Sequence, residues 1–350
     1  LDFRAKQQCH ILKNVSATST GDVGTNFIVI FLFHLHLDQE DLLQKKNIVF
    51  FLTFCLVLVI SSTAFAKDAI RFATPPWPGV TVKTEVVCQI SESLGYETEQ
   101  LQVGPPIIYK GMPQGDVDVY LAAWVPAQND MLNPVLEEGS VEILGTNLDE
   151  AIISLCVPTK TWEEGVRSVA DLDKYADKFD HTIYNIEAGS GMHTAVDEMI
   201  KANADGLGDW EQVASTTPIM LGQARDKMRQ NEAVVFGCWK PHWMDVLMDI
   251  KFLEGTENTT KLVSQSKVHT IANADFDTRY PQLAKFLSQL YVTAETQSMW
   301  IHDYGYKEED PADVARRWIT DNQDIVAKWL EGVKTPDGRD ATEVVAAAFK

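Results

Sequence analysis

The sequence predicts an α/β protein of two lobes with a cleft between them, the first lobe interrupted in the chain by the second. Three observations carry this expectation. Strand-like and helix-like segments alternate over residues 69–144 and again over 182–236, the pattern of two layered sheets built from parallel strands. A long apolar run at 151–157 leads from the first alternation to the second, and another at 267–272 leads back. Three of the apolar runs end in a tryptophan with a proline close behind it. Ligands in open α/β sheets bind beyond the carboxyl ends of the strands, so those tryptophans fall where a cleft is expected.

Taken in order, residues 69–73 read as the first strand and 74–79 (Thr-Pro-Pro-Trp-Pro-Gly) as the turn that carries Trp77. Residues 80–94 read as a helix, because Val82, Val86, Val87, Ile90 and Leu94 share one face. Gly95 then ends it as a C-terminal cap. A strand at 97–103, a short helix at 107–112 and a strand at 117–121 lead to Trp124. A helix at 130–138 and a strand at 141–144 finish the first alternation. After the apolar strand 151–157, which stops at Pro158, come a strand at 182–186, a glycine turn and a helix at 192–202. A strand at 213–215, a helix at 217–229 and a strand at 233–236 then reach Trp239. The return strand is followed by helices near 280–291, 294–302, 311–320 and 324–331. The expected division is 67–153 with 258–350 for the first lobe, and 154–257 for the second.

The N-terminal region reads differently. Lys45 and Lys46 precede an apolar stretch at 48–60, and Ala64-Phe65-Ala66 stands before Lys67. That is the layout of a secretory signal peptide, residues 45–66, cut after Ala66. The apolar stretch is shorter than the roughly 20 residues a bilayer requires. Residues 1–44, upstream of such a signal, are expected to be a non-native, unstructured extension. The mature protein is therefore expected to be exported to the periplasm.

With 50 acidic against 30 basic residues the net charge is -20. This argues against nucleic-acid binding, which depends on Lys and Arg contacts to phosphates, and weakly favours a cationic ligand. Past the signal peptide stand Cys88, Cys156 and Cys238, none in a C-x-x-C or metal-ligand spacing. An oxidising compartment would permit one pair. Their positions in a helix, a connecting strand and a cleft strand point instead to three buried small hydrophobes. No metal or cofactor is expected.

Trp77, Trp124 and Trp239 are the candidate binding residues. Any one of them could be core packing. Their shared position at strand exits favours an aromatic cage, which suits a methylated ammonium because ring faces attract a charge that donates no ordinary hydrogen bond. Gly189-Ser190-Gly191 opens a helix and exposes backbone N–H groups to an anion, or is an ordinary glycine turn. Glu187 either balances an ammonium in the same crevice or caps the helix. His242 either donates to a carboxylate or bonds a backbone carbonyl. The sequence contains no nucleophile elbow, phosphate-binding loop or His-Glu-x-x-His, so an enzyme reading has no positive support.

Four stretches together resemble a known family: Pro76-Trp77-Pro78-Gly79, Asp118 to Pro126, Ile186 to Met192, and Trp239-Lys240-Pro241-His242-Trp243-Met244. The family is that of glycine betaine, choline and proline betaine substrate-binding proteins of ABC importers. The resemblance spans nearly all of 67–335 and implies a two-lobed periplasmic-binding-protein fold, type II-like, closing over a methylated ammonium compound. It implies box positions at Trp77, Trp124 and Trp239, a monomer, and an inner-membrane permease with its ATPase as partner. Choline binders carry Asp where Gly79 stands here, and a tyrosine where Ile152-Ile153-Ser154 stands. Trp162 and Trp243 are the candidates for a fourth wall. The Trp-Pro-Gly form with a downstream Glu resembles the trimethylamine N-oxide binders, leaving that compound, choline and glycine betaine as ligands to be distinguished. A partner of an osmolyte sensor would share the same site, and a secreted enzyme acting on a methylated amine is the remaining alternative.

Overall fold

A computed structural model describes residues 69–350. The expected upstream extension and signal peptide lie outside the described residues. In chain order the strands are β1 (Ile70–Ala73), β2 (Thr98–Leu101), β3 (Val119–Val125), β4 (Val141–Pro158), β5 (Thr182–Asn185), β6 (Glu211–Ala214), β7 (Val235–Lys240), β8 (Ile250–Phe252) and β9 (Ser264–Asn273). They join one sheet in the order β2-β1-β3-β9-β4-β7-β5-β6, with β8 on the far end of β4. At one end β2, β1 and β3 run parallel. At the other, β7, β5 and β6 do the same. Antiparallel β9 and β4 stitch the two parallel sets together.

Each parallel set has its own core. One is built from residues between Ile70 and Ala151 and between Val268 and Phe349. The second is built from residues between Ile153 and Leu262, joined by Ala127 and Ile301. The chain crosses from one core to the other along β4 and returns along β9. Trp77 and Trp124 pack against both cores.

Most helices sit where apolar periodicity places them. Pro78–Ser93 starts with proline at a position whose N–H has no helical partner anyway. It buries Val82, Val86, Val87 and Ile90 completely. Gly95 follows with φ of 93°, a left-handed conformation that glycine adopts without penalty. Helix Thr217–Arg229 matches its expected bounds. The return segment supplies Pro281–Gln289, Ala294–Gly305, Pro311–Asp321 and Gln323–Trp329, and a further helix, Ala341–Ala348, that periodicity did not reveal. Three of their tryptophans pack together in the first core: Trp300 edge-on to Trp318 at 4.9 Å, and Trp318 stacked on Trp329 at 5.3 Å between ring centres.

Two expectations need correction. The separate strands expected at 141–144 and 151–157 are one strand, β4, whose register against β9 shifts between Ile143 and Gly145, Thr146 and Leu148, and Leu148 and Ala151. Those irregularities break the alternation that marks a strand in sequence. The cysteines are not three buried small hydrophobes either. Cys156 and Cys238 form a disulfide with Cα atoms 5.8 Å apart, and among the described residues Cys88 alone is a free, buried thiol. Ser154 lies opposite Cys238, and Cys156 opposite Phe236, in the antiparallel β4–β7 ladder. The two cysteines are therefore diagonal neighbours on adjacent strands, a proximity created by topology.

Candidate ligand-binding site

Trp77, Trp124 and Trp239 line one cavity between the cores. Trp77 is the residue immediately before helix Pro78–Ser93, held there by two flanking prolines. Trp124 and Trp239 are the penultimate residues of β3 and β7 rather than lying beyond them. Trp239 is pinned from two sides. The disulfide ties its neighbour Cys238 to β4, and His242 meets its ring edge-on at 4.9 Å.

His242 itself is fully buried and absent from the cavity wall. Its Nδ1 accepts the Met244 N–H at 3.1 Å, which leaves the ring proton on Nε2. Burial pushes its pKa down to about 3, so the ring is neutral. It supports Trp239 from behind and does not present a donor to the cavity. Trp243 is likewise outside, packed on His242 and Tyr306. Trp162 lies under the Arg167 guanidinium, 4.6 Å from the ring centre, and does not reach the cavity. Neither supplies a fourth wall. Ile153, Ile186, Met192 and Leu148 fill in around the three indoles.

Glu187 is at the edge of this arrangement. Its Oε1 accepts the Trp77 indole N–H at 2.6 Å, a bond between the loop after β5 and the residue that precedes helix Pro78–Ser93. Its Oε2 is buried without a partner. Burial raises its pKa above the usual carboxylate range, against the opposing effect of its hydrogen bonds. The helix is capped by Ser190, whose hydroxyl accepts the His193 N–H at 3.1 Å, and not by Glu187. Ser190 and Gly191 line the cavity. Gly189 stands beside Pro106, where a Cβ would lie 2.7 Å from Cγ, and it has φ of 85°. The glycine is thus required by a close approach between the cores as well as by the turn.

Sequence reasoning missed Lys83, Gln128 and Gln297, all on the cavity wall. Gln128 is held by Tyr109 Oη at 2.8 Å and is structural. Lys83 and Gln297 left a trace in the sequence: each is a polar residue within an apolar helical stripe, Lys83 among Val80, Val82 and Val87, and Gln297 with Trp300 and Ile301. Among the described residues no group of His, Cys, Asp and Glu is arranged to hold a metal ion, and no helix is long and apolar enough to cross a membrane.

Two α/β halves meeting at an aromatic-lined cavity define a two-lobed ligand-binding protein. Residues 68–321 match the family described as OpuAC, substrate binding domain of ABC-type glycine betaine transport system, and the chain belongs to that family. The family consists of transport binding components, not enzymes. Over 130 residues the chain is 41% identical to an uncharacterized protein ORF1 of Chromohalobacter salexigens, covering 37% of this chain and 84% of the relative. It is 29% identical over 187 residues to the glycine betaine/carnitine transport binding protein GbuC of Listeria monocytogenes, covering 50% of this chain and 61% of that protein. Among solved structures, an ABC-transporter choline binding protein in complex with choline superposes with a TM-score of 0.78 at 29% identity, covering 81% of this chain and 99% of that one.

Proposed function

We propose that this protein captures a methylated amine outside the cytoplasmic membrane and delivers it to an ABC permease driven by its ATPase. Trimethylamine N-oxide, choline and glycine betaine are the ligands to be distinguished. The observation that carries the reading is the convergence of Trp77, Trp124 and Trp239 from three separate segments onto one cavity. Indole faces attract an onium charge, and the surrounding apolar residues exclude the water that would otherwise compete. Residues 67–153 with 258–350 act as one lobe and 154–257 as the other. Closure brings Trp239 to the two indoles of the first lobe and forms the Trp77–Glu187 bond. A cleaved signal sequence ending at Ala66 and a monomeric working state complete the reading.

Each ring face contributes about 1–2 kcal/mol in a desolvated cage. Truncating any one tryptophan to Ala is expected to weaken binding about ten-fold or more, since roughly 1.4 kcal/mol is a factor of ten. Calorimetry of the purified protein with the three candidate ligands tests this. Wild-type affinity in all three Trp→Ala variants, or no binding of any ligand, overturns the cage.

A further inference from the structure

Trp239 reaches the cavity from a strand end that is held on one side only. β7 pairs with β5 at Ile183–Val235 and Tyr184–Phe236. Beyond Phe236, among the described residues, its ladder runs to β4 alone, through Leu155–Gly237, Ser154–Cys238, Ile153–Trp239 and Ile152–Lys240. Pro241 follows and has no N–H with which to extend that ladder. Strand ends with so few partners open at the lowest free-energy cost.

The Cys156–Cys238 disulfide sits where it counters this. Side chains alternate between the two faces of a strand. Ile153 and Trp239, paired across the ladder, share one face, and both line the cavity. Cys156 and Cys238 lie on the opposite face, with Cys238 one residue before Trp239, and both are fully buried in the second core. Cys156 is the firmly anchored partner. At that point β4 is flanked by β7 at Phe236 and by β8 at Phe252. Two residues earlier the Ser154 hydroxyl donates to Leu253 O at 3.1 Å. The bond therefore ties the one-sided end of β7 to a rung held from both sides. Loop-entropy stabilisation depends on the 82 residues spanned and not on which rung carries the sulfurs. The place behind Trp239 adds something that entropy does not.

We propose that the Cys156–Cys238 disulfide is a positioning element for ligand capture: it holds the Trp239 indole opposite Ile153 on the cavity wall, and the protein without it binds ligand more weakly because Trp239 is no longer fixed. This rests on the reading of the tryptophan cavity as a methylated-amine site. A ring face attracts an onium only within about 6 Å of its centre, and binding groups work when held within roughly 0.5 Å of their place. Without the bond the end of β7 samples positions off the wall, and part of one ring's contribution is lost. That loss is bounded by the effect of Trp239→Ala.

Calorimetry with choline, glycine betaine and trimethylamine N-oxide, below the melting range of every protein used, tests the proposal. Three pairs of proteins are compared, each pair differing by Cys156→Ala with Cys238→Ala, in the wild-type, Trp239→Ala and Trp124→Ala backgrounds. Removing the disulfide is expected to weaken the tightest of these ligands about three- to ten-fold in the wild type and as much in Trp124→Ala, but not in Trp239→Ala. A purely structural staple would act alike in every background. Equal losses in all three backgrounds, or none in the wild type, overturn the proposal while leaving the tryptophan cage standing. Should the alanine pair fail to fold, by circular dichroism, the intact protein decides. Its unliganded Trp239 indole N–H is expected to be as rigid by 15N relaxation as that of core Trp300, and a mobile indole beside a closed disulfide overturns the proposal. Failure of all three ligands to bind wild type overturns the methylated-amine reading and this inference together.

Discussion

Replacing Trp77 by Phe keeps an aromatic face in the cavity and removes one atom of consequence, the indole N–H that donates to Glu187 Oε1 at 2.6 Å. Trp77 precedes helix Pro78–Ser93 and Glu187 follows β5, so the bond joins segments from the two ends of the sheet. A hydrogen bond to a charged acceptor contributes about 1.5–3 kcal/mol when shielded from water. Glu187 is partly exposed, which lowers the expectation to about 1–2 kcal/mol. If the proposed closure forms this bond, the loss falls on the closed state and is expected to appear as a five- to thirty-fold weaker ligand affinity, beyond the small difference in ring strength between Phe and Trp. A double-mutant cycle isolates it: Trp77→Phe, Glu187→Ala and the pair, each titrated calorimetrically with glycine betaine. The expected coupling is about 1 kcal/mol or more. Strictly additive losses would refute the idea that this bond carries closure energy, and would reduce Glu187 to an edge residue.

Further expectations follow from other contacts. Breaking the disulfide with Cys156→Ala and Cys238→Ala frees a loop spanning 82 residues; loop-entropy scaling gives about 4 kcal/mol of lost stability, read from urea midpoints of oxidised wild type and the double variant. Asp118 is buried between Arg71 at 2.9 Å and Arg279 at 2.9 Å. Burial pushes its carboxyl up, but the arginine bonds outweigh burial and hold it below the usual range. Its contribution is therefore present above the ordinary aspartate pKa and lost as pH falls through the depressed value; Asp118→Asn should lose roughly 3 kcal/mol at neutral pH and flatten the acid limb of a thermal-stability profile. His242, neutral down to about pH 3, should keep a constant imidazole proton shift from pH 5 to 8 by NMR, and a titration in that interval would contradict its burial.

The alternation of strands and helices was readable because most elements bury one continuous face, so the period of the apolar residues reports the element directly. It failed at β4, where three register shifts scramble the period. It also failed at helix Ala341–Ala348, whose alanine-rich run buries little beyond Ala341 and Val345. The three cavity tryptophans could be picked out because proline marks the chain near each one. Trp162 and Trp243 share the residue type but not the placement, and sequence does not reveal which way an indole turns. Lys83 and Gln297 were passed over because a single polar residue in an apolar stripe reads as noise until its burial is known. The Cys156–Cys238 pair depends on β4 lying beside β7, a neighbour relation 82 residues apart that no local pattern encodes.

The placement of the first core at both ends of the chain has a consequence for how the protein is made. Its sheet needs β9, and its helical layer needs Trp300, Trp318 and Trp329, all of which follow nearly every residue of the second core along the chain. The stretch from Ile153 to Leu262 holds nearly every residue of that second core and is the first part able to collapse on itself. Residues 70–151 have to wait with their apolar faces uncovered until the last quarter of the chain arrives. Where the chain emerges vectorially, the middle is expected to fold before the beginning. A truncation that ends before β9 would leave the N-terminal third without a partner, a natural substrate for chaperones and proteases.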